Sequence, residues 1–125
     1  MSALRVLLVD DEEELVFTLE ERLQLRGMCA EAFTSGAEAL KRIAQQEFEV
    51  IVVDVKMPGM DGLELLRQIK TLRPAAQVIL LTGRASENES RLGLEQGAFA
   101  YLIKPINIDE LIKKMEQAVS RRTKE

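Results

Sequence analysis

Val50-Ile51-Val52-Val53 is an unbroken β-branched run that ends on Asp54, with Pro58, Gly59 and Gly62 close behind. A strand apolar at every position leaves no face for water, so it must be covered on both sides, the usual state in a parallel sheet. Related runs occur at Leu4 to Val9, at Val78 to Leu81 and, shorter, at Ala100 to Ile103. Met28 to Phe33 is poorer in β-branched residues and reads as an edge strand. In open parallel sheets, ligands gather beyond the carboxyl ends of the strands, where Asp54 falls. A carboxylate there serves as a metal ligand, a nucleophile or a loop cap, and one Asp alone does not separate these.

Helical periodicity fills the intervals. Leu15, Val16, Leu19 and Leu23 recur at three- and four-residue spacing, with acids in the first turn and Gly27 at the end. Ser35 and Glu38 form a capping box ahead of Ala39, Leu40 and Ile43. Gly62 opens a helix carrying Leu63, Leu66 and Ile69, stopped by Pro74. The helix around Ser86 to Gln96 has Leu92 and Leu94 as its large apolar residues. Gly93 inside it costs about 1 kcal/mol against Ala, so a loosely held element is expected. Ile108, Leu111, Ile112, Met115 and Val119 form the last amphipathic face. Arg121, Arg122 and Lys124 complement its dipole or begin a linker.

Five strand–helix alternations without repeats or internal linkers predict one α/β domain. The expected fold is a doubly wound, flavodoxin-like (βα)5 unit. Its five-stranded parallel sheet has order 2-1-3-4-5 and helices on both faces. The domain is expected over residues 1–120, with 121–125 a C-terminal tail or the start of a linker.

Several classes of function drop out. The 125 residues carry a formal charge of −4, which argues against direct nucleic-acid binding by this segment. With no histidine, the chain has no His-based catalysis, no His-ligated metal and no phosphohistidine of its own. Cys29 is the single cysteine; it forms no internal disulfide and reads as a small buried hydrophobe. No Gly-rich phosphate loop follows the first strand, where acids stand instead. No stretch resembles a signal peptide or a membrane span, and a cytoplasmic location is expected.

The strand ends then converge. Asp10 and Asp11 follow the first strand, Asp54 the third, Thr82 the fourth and Lys104 the fifth, and strands 1, 3, 4 and 5 are neighbours in the expected order. Crowded carboxylates repel and resist ionising unless a cation joins them. Oxygen ligands without His or Cys favour Mg2+. Three carboxylates, one lysine and one divalent cation cancel formally, so a further anion can enter. An Asp carboxylate is a competent nucleophile toward phosphorus, and Lys104 and Thr82 offer a cation and a hydroxyl to phosphoryl oxygens.

The pattern resembles the receiver domain of bacterial two-component response regulators (CheY-like). The resemblance rests on Val9-Asp10-Asp11-Glu12, on Asp54 with Met57-Pro58-Gly59-Met60-Asp61-Gly62, on Leu81-Thr82-Gly83, and on Gly97-Ala98 through Tyr101-Leu102-Ile103-Lys104-Pro105. It implies a phosphorylation-dependent signalling switch rather than a turnover enzyme. Asp54 would be the phosphoacceptor, and Asp10, Asp11, Asp54 and the Lys56 backbone carbonyl the Mg2+ ligands. Thr82 and Lys104 would coordinate the phosphoryl group, Thr82 and Tyr101 would carry the switch, and the Lys104–Pro105 bond would be cis. The implied partners are a sensor histidine kinase or phosphotransfer protein upstream and an output domain or target protein downstream. Phosphorylation-linked dimerisation through the face of the fourth helix, fifth strand and fifth helix is also implied.

Departures from the family pattern are small. Phe99 and Ala100 make the approach to the fifth strand more apolar. Lys56 and Arg84 fall at variable positions that tune phosphoryl lifetime in the family, and both also read as solvated surface charge. A Mg2+-dependent phosphohydrolase of the haloacid dehalogenase type shares the strand-end Asp, but it needs an acid two residues later, where Lys56 stands. A phosphorylation-independent module on the same fold would have no use for the acidic cluster.

Overall fold

The computed structural model describes the backbone of residues 3–124 and side chains as far as Arg121, so the side chains of Arg122 and Lys124 lie outside the described residues. Five strands, β1 (Arg5–Val9), β2 (Cys29–Phe33), β3 (Val50–Asp54), β4 (Gln77–Thr82) and β5 (Ala100–Ile103), alternate with five helices. The helices are α1 (Glu13–Leu25), α2 (Gly36–Gln45), α3 (Gly62–Leu72), α4 (Glu87–Glu95) and α5 (Ile108–Lys124), and a 3-10 turn (Arg84–Ser86) precedes α4.

All pairings are parallel and the order is β2-β1-β3-β4-β5, as the strand pattern predicts. β3 is buried at every position, which is why it tolerates no polar residue before Asp54. Alternate side chains serve opposite faces. Leu7, Val9, Ile51, Val53 and Leu80 pack with α2 and α3 through Ala39, Ile43, Leu65, Leu66 and Ile69. Val6, Leu8, Val50, Val52, Ile79 and Leu81 pack with α1 and α5 through Val16, Leu19, Leu23, Leu111 and Met115.

Local signals set the helix ends. Gly27 takes φ +87° just past α1, a left-handed conformation that β-carbons disfavour. The Ser35 hydroxyl accepts the Glu38 N–H at 3.4 Å, and the Asp61 carboxylate accepts the Leu63 N–H at 2.9 Å. Gly62 has a different purpose. A β-carbon there would stand 2.6 Å from Val55 Cα and 2.7 Å from the Asp54 carbonyl oxygen, so only glycine lets α3 start against the end of β3.

Two sequence expectations need correction. Cys29 is exposed, because it opens the edge strand β2 with its side chain outward. α4 is not loosened by Gly93. Its leucines, Leu92 and Leu94, face solvent, while Ser90 and Gly93 are buried. A β-carbon on Gly93 would lie 2.4 Å from Leu80 Cδ1, so the missing side chain lets the helix seat closely on the sheet. α5 runs as helix from Ile108 through Lys124.

Candidate functional site

The carboxyl ends of β1, β3, β4 and β5 open onto one crevice. Asp10 directly follows β1; its N–H donates to the Phe33 carbonyl at 3.1 Å and its Oδ1 accepts the Glu12 N–H at 3.0 Å. Asp54 is the last residue of β3, and its Oδ1 accepts the Lys56 N–H at 3.4 Å. Both carboxylates are almost fully buried. Lys104, just beyond β5, donates its N–H to the Thr82 carbonyl at 2.8 Å and precedes a cis bond to Pro105. Its side chain reaches back into the crevice. Nζ lies 2.9 Å from Asp10 Oδ2, 2.5 Å from Glu12 Oε1 and 3.5 Å from Asp54 Oδ1.

The charges perturb one another as burial and Coulomb's law require. Burial, then the neighbouring Asp10 charge, pushes Asp54 from the ordinary 3.8 up to about 7, with Lys104 offsetting part of the rise. Burial alone would lower Lys104, but the hydrogen bond to Glu12, the close contact with Asp10 and the charges of Asp10 and Asp54 hold it above the usual lysine range. Asp54 is therefore a carboxylate short of positive charge.

The donor set fits a hard divalent cation. Carboxylate oxygens of Asp10, Glu12 and Asp54 all lie within 4.8 Å of one another. Among the described residues, Asp10 Oδ2 is a buried side-chain oxygen that accepts no hydrogen bond; its contact with Lys104 has ion-pair distance but not hydrogen-bond geometry. A buried oxygen of this kind is costly unless a cation satisfies it. All the donors are oxygens, which suits Mg2+.

The expected site residues are not all gathered. Asp11 is exposed and outside the carboxylate cluster, and Glu12 stands in its place. Thr82 is buried at the end of β4, but its hydroxyl donates to the neighbouring Gly83 carbonyl at 3.0 Å. Tyr101, half-buried on β5, donates its hydroxyl to Glu87 Oε2 at 2.7 Å, at the start of α4. Lys56 contacts Asp54 through its N–H, while its ammonium pairs with Glu89 at 2.8 Å. Arg84 is exposed in the 3-10 turn. Sequence reasoning missed Glu12, Glu87 and Glu89 as partners. Only Glu12 left a trace, through its place in the run of acids after β1.

Comparison with known proteins settles the family. The model of the response regulator receiver domain matches residues 6–116. The chain belongs to the response regulator receiver family. This receiver domain is a phosphoacceptor regulatory module of two-component signalling. It is 40% identical over 115 residues to the DNA-binding transcriptional regulator NtrC of Escherichia coli K12, covering 92% of this chain and 24% of NtrC. The chain thus spans about a quarter of that relative's length. A CheY-like receiver domain protein from Methanospirillum hungatei JF-1 superposes with TM-score 0.92 at 33% identity, covering 98% of each chain. A Burkholderia pseudomallei response regulator, solved with a phosphorylated aspartic acid and a calcium ion, superposes with TM-score 0.85 at 31% identity, covering 94% of this chain and 69% of that one. No helix among the described residues is long and apolar enough to cross a membrane.

Proposed function

We propose that Asp54 accepts a phosphoryl group from a phosphohistidine on a sensor histidine kinase or phosphotransfer protein. A carboxylate oxygen of Asp54 attacks phosphorus, the P–N bond breaks, and its electrons remain on the imidazole of the partner. Asp10, Asp54, the Lys56 carbonyl and an acid from the Asp11-Glu12 pair would hold Mg2+, which when bound supplies positive charge to nucleophile and phosphoryl oxygens together. Lys104 neutralises a phosphoryl oxygen. Thr82 releases the Gly83 carbonyl and donates its hydroxyl to the phosphoryl group.

The observation that carries this reading is the one lysine shared among three converging carboxylates, with Asp54 the most weakly paired of them at 3.5 Å. The switch follows from the same geometry. Movement of Thr82 toward Asp54 frees space beside β5, Tyr101 leaves Glu87, and the face of α4, β5 and α5 changes for an output domain or target protein, including a second copy of the chain. This is regulation in a cytoplasmic pathway. By likeness to NtrC, the output is transcriptional. The domain proper takes in residues 1–120, with 121–125 a C-terminal tail or the start of a linker.

Incubation with Mg2+ and acetyl phosphate tests the proposal. A labile label of one phosphoryl per chain, absent from Asp54→Asn, supports it. A label that survives in Asp54→Asn, or no label at all, rejects it, and continuous phosphate release points to the hydrolase.

A further inference from the structure

Glu12 occupies the N-cap of α1, yet its carboxylate makes no capping bond to the helix. It turns instead to Lys104, where Oε1 makes the shortest of the three carboxylate contacts to Nζ, 2.5 Å against 2.9 Å to Asp10 and 3.5 Å to Asp54. Its backbone is held in place for this, since the Glu12 N–H donates to Asp10 Oδ1. The side chain of Glu12 is 60% exposed and that of Lys104 only 18%, so the glutamate reaches in from the rim to an ammonium anchored inside.

We propose that Glu12 is a positioning residue that parks Lys104. In the unphosphorylated protein its carboxylate draws the ammonium toward the Asp10 side and away from Asp54, and an incoming phosphoryl group must win Lys104 from it. The inference rests on the role given to Lys104 above. Because the contact exists before transfer and is lost in the phosphorylated state, it opposes phosphorylation without affecting hydrolysis of the product. A half-exposed ion pair of this kind acts on the rate by about two- to fivefold.

Three variants separate contact from charge. Glu12→Asp keeps the charge but is one methylene too short to reach Lys104, Glu12→Gln removes the charge, and Glu13→Gln removes an equal charge one residue away. At saturating Mg2+, Glu12→Asp and Glu12→Gln are expected to take phosphate from acetyl phosphate about two- to fivefold faster than the parent, with unchanged loss of label. Glu13→Gln should show a smaller change. In the metal-free protein, the Lys104 ammonium resonance should move in both Glu12 variants and stay in place in Glu13→Gln. A parental phosphorylation rate in Glu12→Asp overturns the inference. So does slower phosphorylation of the Glu12 variants at saturating Mg2+, which would instead assign Glu12 to the metal. A Lys104→Ala protein that phosphorylates normally would sink the underlying role of Lys104, a result distinct from either.

Discussion

Lys56 Nζ lies 2.8 Å from Glu89 Oε1, which ties the loop after Asp54 to the first turn of α4. The hydrogen bond and charge of Glu89 hold Lys56 above its ordinary 10.5. In Glu89→Gln, the Lys56 titration followed by NMR should fall back toward that value. A raised lysine stabilises the fold below its unfolded pKa and loses that contribution as pH rises through the folded one. The variant should therefore differ least from the parent in strong alkali, and the difference should shrink in high salt.

Asp54 gives the metal-free protein a pH-dependent destabilisation. Its pKa rises on folding from 3.8 to about 7, so the native state holds more protons than the unfolded state between those values. The contribution of Asp54 to stability then falls as pH climbs from about 4 to about 7, by on the order of 4 kcal/mol at most. Denaturant melts in EDTA should show this decline. Asp54→Asn should flatten it and be the more stable protein at pH 8. Added Mg2+ should raise the parent's melting temperature at pH 8 and do little for the variant.

Two glycines offer a contrast with helix propensity. Alanine is the better helix former by about 1 kcal/mol. At Gly62, however, the new β-carbon meets backbone at 2.6 Å, and at Gly93 it meets the buried side chain of Leu80 at 2.4 Å. Gly62→Ala should cost about 3 kcal/mol and Gly93→Ala about 1–2 kcal/mol, since a side chain yields more readily than backbone. Urea unfolding midpoints measure both. A stabilised Gly93→Ala would show that α4 does not seat as closely as described.

The Tyr101 hydroxyl is first among the causes that hold Glu87 below the usual glutamate range, ahead of Arg91. Tyr101→Phe should raise the Glu87 pKa, read by carboxyl-carbon NMR. In the parent protein, phosphorylation should move the same resonance in the same direction as Tyr101 leaves. A Glu87 signal blind to both changes would remove Tyr101 from the switch.

The architecture was legible because it follows from rules that act along the chain. An apolar run such as Val50 to Val53 demands cover on both faces. Helical spacing after each run supplies that cover, and right-handed crossovers then leave few strand orders open. Asp10, Asp54, Thr82 and Lys104 could be brought together on paper, since every parallel strand ends at the same edge. Side-chain direction within that edge was not legible. Asp11 and Glu12 are adjacent acids, and only the path of the chain into α1 turns Glu12 toward Lys104 and leaves Asp11 in water. Gly93 read as a weakness because its value lies in the distance between α4 and Leu80. Spacing along a chain encodes periodicity and strand ends. Which neighbouring carboxylate meets a lysine 92 residues away depends on torsions and packing that exist only once the layers have closed.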